Sequence, residues 1–148
     1  RQKPHESIMH LQLYKRLFNH HSVADLWLIM NDLFKVLQLK LDCQTMWLAR
    51  VSGTTACAEN YVSAFHVDQG DHPRKDHMHV SILYLNTNNG GTKFEDGTFV
   101  KSKMNRVVTF PNHIRHAGVW CTDRKFRFVL NLNYEKNGNN QETTQESD

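Results

Sequence analysis

The stretch FHVDQGDHPRKDHMHV, residues 65 to 80, carries His66, His72, His77 and His79, four of the chain's ten histidines, beside Asp68, Asp71 and Asp76. Imidazole nitrogens and carboxylate oxygens bind first-row transition metals, so the first question is which of these side chains can share one ion. His66 and Asp68 stand at alternate positions at the end of YVSAFHV, a run that reads as a strand, and period two puts both on one face. A third ligand must come from elsewhere in the fold. His116, at the start of HAGVWC after the turn FPNHIR, is placed for it. Two imidazoles and one carboxylate on one side of an octahedral ion leave three positions open. The remaining residues of the stretch fit less well. Asp71, His72, Pro73, Arg74, Lys75 and Asp76 have the composition of a solvated loop bordering the site. In the strand that follows, an inward Tyr84 shares its face with Val80 and Ile82, so His77 and His79 point outward.

The elements that must position these groups are legible in outline. Residues 5 to about 40 read as helical, with Ile8, Leu11, Leu13, Tyr14, Leu17 and Phe18 at helical spacing. His20 and His21 mark a helix junction, Ser22 with Asp25 resembles a capping start, and Leu26 to Leu37 give a second apolar stripe. After Asp42 the spacing predicts strands over 45–51, 61–67, 79–85, 92–95, 98–101, 105–110, 116–121 and 126–134, with turns at NTNNGG, EDG, PN and TDR. Gly90 and Gly91 are expected to serve a turn of positive φ. Eight short strands in this order predict a mainly β, antiparallel jelly roll or barrel, with the N-terminal helices packed on one outer face. Residues 1–136 form one expected domain, and 137–148 a polar, solvated tail.

At 148 residues the chain is long enough to bury a core without covalent staples. Three cysteines, Cys43, Cys57 and Cys121, are an odd number without CxxC spacing, which argues against a disulfide framework or zinc ribbon and for a reducing, cytoplasmic setting. No apolar run reaches membrane-spanning length. The net charge of +3 is a weak pointer to an anionic partner, but no basic block interleaved with aromatics supports nucleic acid.

Four segments together carry a resemblance: FHVDQGD, then ILYLNTNNGGTKF, then FPNHIRHAG, then RKFRFVLNLNY. In this order they resemble the HxD, the YLN strand, the GG-T-x-F-like turn, the distal histidine and the basic opening of the last strand in the iron(II)- and 2-oxoglutarate-dependent dioxygenases, closest to the prolyl 4-hydroxylase-like branch. The resemblance runs from about residue 45 to 134. It implies a double-stranded β-helix, iron(II) held by His66, Asp68 and His116, and 2-oxoglutarate and O2 as cosubstrates. Tyr84 matches a tyrosine that hydrogen-bonds the cosubstrate's far carboxylate. Arg127 or Lys125 would neutralise that carboxylate; Arg127 is preferred, because a guanidinium grips a carboxylate with two parallel hydrogen bonds. The implied reaction hydroxylates a substrate C–H bond and releases succinate and CO2. A peptidyl proline is the substrate the branch points to, with other protein side chains, small molecules and modified nucleobases left open.

Two other readings stand beside it. His77-x-His79 with FPNHIRH resembles a cupin metal motif, although no glutamate follows at the expected distance. A non-catalytic jelly-roll binding module is the other. Asn131 and Asn133 alternate on the last strand in register with Arg127, and either line a pocket or face out. Trp47 and Trp120 are expected in the core.

Overall fold

The computed structural model describes residues 12–19, 22–23 and 30–137. The chain is mainly β. In order it forms β1 (Gln12–Asn19), β2 (Ser22–Val23), helix α1 (Asn31–Lys40), β3 (Cys43–Thr55), a short 3-10 turn (Lys75–His77), β4 (Met78–Tyr84), β5 (Gly91–Phe94), β6 (Phe99–Lys101), β7 (Val107–Pro111), β8 (His116–Val119) and β9 (Phe126–Lys136). The strands make two antiparallel sheets, β2-β1-β3-β9-β4-β7 and β6-β5-β8.

Alternation on β9 explains how one sheet serves two interfaces. Leu130, Leu132 and Tyr134 project to one side, where Phe34 and Leu37 of α1 pack on them together with Met46, Ala49 and Leu83. Phe34 and Leu37 lie three residues apart, which puts them on the same face of the helix. Arg127, Val129, Asn131 and Asn133 project to the other side. There Val129 joins Val80, Ile82, Tyr84 and Phe110, and Phe94 of the smaller sheet closes the cluster. The two sheets therefore face each other across an interior where this apolar cluster meets the polar side chains of β9.

Three expectations are corrected. Residues 12–19 form a strand, not a helix: β1 pairs antiparallel with β3 from Gln12↔Thr54 to Asn19↔Leu48. Eight residues of mixed spacing satisfy either period, and the long β3 would otherwise present an unpaired edge, so sheet pairing overrides the local pattern. Ser22 lies in β2 rather than at a helix cap; His20, His21 and Asp25, like most of the expected tail, fall outside the described residues. The expected strand over 61–67 is reduced to two isolated bridges, Val62↔Val119 and His66↔His116. Ser63 Oγ takes the Gly118 amide at 3.0 Å, so a side chain replaces a backbone rung, and the two bridges differ in register by an extra residue, as in a bulge.

Gly90 and Gly91 do not adopt positive φ; among the described glycines only Gly97 does, at 92°. They are small because the backbone is crowded. A Cβ on Gly90 would meet the Val119 carbonyl and one on Gly91 the Val100 carbonyl. Cys43, Cys57 and Cys121 form no disulfide, and no helix among the described residues is long and apolar enough to cross a membrane.

Candidate metal centre and its pocket

His66 and His116 exchange both backbone hydrogen bonds, each at 3.0 Å, so the last residues of an irregular segment lie directly beside the first residue of β8. This pairing sets the two imidazoles side by side, with ring centroids 4.6 Å apart. Asp68, two residues on, brings its carboxylate between them. Its Oδ1 is 3.5 Å from His66 Nε2 and 3.9 Å from His116 Nε2. One ligand atom from each of the three lies within 4.8 Å of the others, the one such group of His, Cys, Asp and Glu among the described residues.

The surroundings orient these groups for a cation. His66 Nδ1 lies 3.1 Å from the Ala64 carbonyl and His116 Nδ1 3.3 Å from that of Ile114. A proton on each Nδ1 leaves both Nε2 lone pairs facing the carboxylate, the tautomer a metal requires. Asn133 donates to Asp68 Oδ2 at 2.9 Å, which leaves Oδ1 for the shared centre. The buried His116 packs edge-on against Phe110, while His66 is exposed at the rim. Burial raises the Asp68 pKa, but with the imidazoles protonated a hydrogen bond from His66, one from Asn133 and the charges of both rings outweigh it and hold the carboxyl at about 2. The hydrogen bond to Asp68 pushes His66 upward; burial pulls His116 down.

The triad borders a cavity of about 400 Å³. At its far end lies Arg127, 5% exposed, with Nε 3.3 Å from Ser102 Oγ and its guanidinium 5.7 Å from the centre of the Tyr84 ring. No acidic side chain among the described residues pairs with it, and burial pulls its pKa below the ordinary arginine value. A buried cation without a counter-charge is costly, and such groups persist where a ligand supplies the charge. Lys125 is exposed, ahead of β9. Tyr84 is wholly buried beside Arg127, yet its hydroxyl contacts Thr92 Oγ1 at 2.7 Å and the Val100 carbonyl at 3.1 Å; Thr92, not Tyr84, lines the cavity.

The other histidines of the opening stretch stay apart. His77 is exposed in the 3-10 turn, and His79 faces Tyr134 on the helix side of the sheet, so the cupin-like pair does not meet His116. His72 packs edge-on against Trp47. The loop between Asp68 and β4 is anchored rather than simply solvated. Gln69 reaches Asn133 at 3.4 Å, and Arg74 grips both oxygens of the buried Glu135, through Nε and, at 2.8 Å, through Nη2. Trp47 Nε1 adds a 3.0 Å hydrogen bond to the same carboxylate. Trp120 is buried as expected and also lines the cavity. Sequence reasoning missed Arg50, Ser52 and Thr54, which line the cavity too. Their signal was three polar side chains at period two in and just beyond the strand predicted over 45–51, unusual for a face turned to a core.

No protein-family model matches the chain, and no curated protein matches it. Solved structures do. An oxidoreductase of the 2OG-Fe(II) oxygenase family from Burkholderia pseudomallei is similar with a TM-score of 0.62 at 11% identity, over 86% of this chain and 67% of that one. A viral collagen prolyl hydroxylase from Paramecium Bursaria Chlorella virus-1, in a 2OG complex, is similar with a TM-score of 0.55 at 13% identity, over 86% and 80%. A non-haem monooxygenase in a nickel complex gives 0.52 at 14% identity over 62% of this chain; this chain spans only 44% of that protein. The likeness defines the class of fold: an antiparallel β architecture shared with 2OG-Fe(II) oxygenases and non-haem monooxygenases.

Proposed function

We propose that the chain is an iron(II)- and 2-oxoglutarate-dependent oxygenase built on a double-stranded β-helix, hydroxylating a C–H bond of its substrate. The observation that carries this is one cavity with a His66–Asp68–His116 donor set at one end and, at the other, the buried Arg127, with which no acidic side chain among the described residues pairs.

The donor set fits iron(II): two neutral imidazoles and one carboxylate on one side, the opposite side open to the cavity. When bound, iron(II) with 2-oxoglutarate and O2 supplies the oxidation of a C–H bond, with succinate and CO2 released. The chain's own part is placement. His66 and His116 present Nε2, Asn133 fixes the carboxylate of Asp68, and Arg127 neutralises the cosubstrate's far carboxylate. Tyr84 acts through its neighbours, its ring beneath the guanidinium and its hydroxyl on Thr92. The exposed Lys125 takes no part. Val129, Ile82 and Trp120 line the wall with apolar surface that limits water around the reacting atoms.

The test is spectroscopic. Purified protein with Fe(II) and 2-oxoglutarate under nitrogen is expected to develop a weak visible charge-transfer band, and to release succinate slowly on exposure to air. Absence of both would sink the proposal and leave a binding module. The same assay with Arg127→Gln is expected to lose the band at cosubstrate concentrations that saturate the wild type, while Lys125→Ala keeps it.

A further inference from the structure

The segment that follows Asp68 begins on a backbone that its residue type disfavours. Gln69 has a φ of 49°, in the left-handed region. The other non-glycine residues with positive φ among the described residues are Asp42 and Asn105. Asp and Asn tolerate that conformation, whereas Gln does so poorly. The turn that Gln69 opens is closed by a 2.9 Å hydrogen bond from the His72 amide to the Gln69 carbonyl. A residue held against its backbone preference beside a proposed metal centre points to a use for its side chain.

That side chain ends on Asn133. Asn133 is wholly buried, and its neighbours across the sheet are Leu48 and Val80, whose apolar side chains cannot orient an amide. Its Nδ2 donates to Asp68 Oδ2 at 2.9 Å. An ionised carboxylate only accepts hydrogen bonds, so this direction is forced, and Asn133 Oδ1 then needs a donor on its other side. Gln69 Nε2 is that donor, at 3.4 Å. The bond is long, so its contribution lies in direction more than in strength. With the Asn133 amide turned over, two oxygens would face each other, and Asp68 Oδ2 would be free to swing toward the centre shared with His66 and His116. We propose that Gln69 is a positioning residue: through Asn133 it holds Asp68 to one metal-facing oxygen, so that the positions opposite the donor set stay open for cosubstrate and O2. This deepens the oxygenase reading of the site and rests on it.

The test measures three quantities at neutral pH: Mn(II) affinity by equilibrium dialysis, the number of water molecules on bound Mn(II) from solvent proton relaxation, and 2-oxoglutarate affinity of the loaded protein by calorimetry under nitrogen. Gln69→Glu keeps the shape of the side chain but offers no donor. Its negative charge alone would tighten a nearby cation. The expected result is the opposite, a roughly 10-fold loss of Mn(II) affinity. Bound waters are expected to fall from about three to about two, with 2-oxoglutarate weakened as well. Gln69→Ala is expected to weaken Mn(II) several-fold in the wild type and to change nothing in an Asn133→Ala background, because it acts through Asn133. Gln69→Gly relaxes the backbone; it is expected to bind Mn(II) as weakly as Gln69→Ala while melting no lower, which separates lost positioning from lost stability. Mn(II) bound by Gln69→Glu as tightly as by the wild type, or an unchanged water count, overturns the proposal. So does a Gln69→Ala loss that persists in Asn133→Ala. A wild type that binds no Mn(II) refutes the metal centre and the proposal with it. One that binds Mn(II) but not 2-oxoglutarate refutes the oxygenase reading, while the Mn(II) and water readouts still decide the part of Gln69.

Discussion

At the scale of single residues, the centre depends on a carboxylate held between two imidazoles whose own orientation is fixed by backbone carbonyls. His66→Ala, Asp68→Ala and His116→Ala are each expected to abolish measurable Mn(II) binding in equilibrium dialysis, while His77→Ala and His79→Ala bind as the wild type does. Asn133→Ala leaves all three proposed ligands but releases Asp68, and a loss of roughly 10- to 100-fold in metal affinity is expected. Retained affinity in Asp68→Ala, or lost affinity in His79→Ala, would contradict the assignment. The donor set was legible in the sequence because period-two spacing joins His66 to Asp68, and an ordered set of downstream segments singled out His116 from ten histidines. Arg50 was not. Alternation says that Arg50, Ser52 and Thr54 share a face, but only the register with Asn131 and Arg127 shows that this face is the cavity.

At the scale of elements, the segment after Asp68, whose residues 71–76 the sequence reading assigned to a solvated loop, is held down by side chains. Arg74 and Trp47 converge on Glu135, and Gln69 reaches Asn133 beside the donor set. The hydrogen bond from Arg74 holds the Glu135 carboxyl below its ordinary glutamate range. A carboxyl depressed on folding contributes stability above its unfolded pKa and loses it as pH falls through the folded one. The melting temperature of Glu135→Gln is therefore expected below that of the wild type at neutral pH, with the gap closing on acidification past the glutamate range. A gap independent of pH would show that the ion pair contributes nothing. The same variant is expected to bind Mn(II) several-fold more weakly, since the anchored segment directly follows Asp68, the proposed carboxylate ligand. Helix α1 was legible from its apolar spacing, whereas β1 was not: residues 12–19 carry no strong period of their own, and their structure comes from the open edge of β3, a partner more than twenty residues away in sequence.

At the scale of the whole molecule, the two faces of the larger sheet divide the work. The side against α1 is closely apolar, with Leu130 and Leu132 fully buried, and secures the fold; the other side gives up apolar contact to hold Arg127, Asn131 and Arg50. The mainly β, antiparallel class was readable from short strands and their turns, but this division follows from the alternation of β9 taken together with where α1 docks. Arg127 carries a consequence beyond its place in the pocket. A buried charge with no acidic partner among the described residues destabilises the empty fold until an anion arrives. Replacing it with the similarly shaped but neutral methionine is thus expected to raise the melting temperature of the ligand-free protein while removing cosubstrate binding, and a lowered melting temperature would refute this. Succinate, which shares the far carboxylate of 2-oxoglutarate, is expected to stabilise the wild type even without metal and to leave Arg127→Met unchanged. The spent cosubstrate would then linger on the arginine that held it, and its departure, as much as the chemistry, would set the pace of turnover.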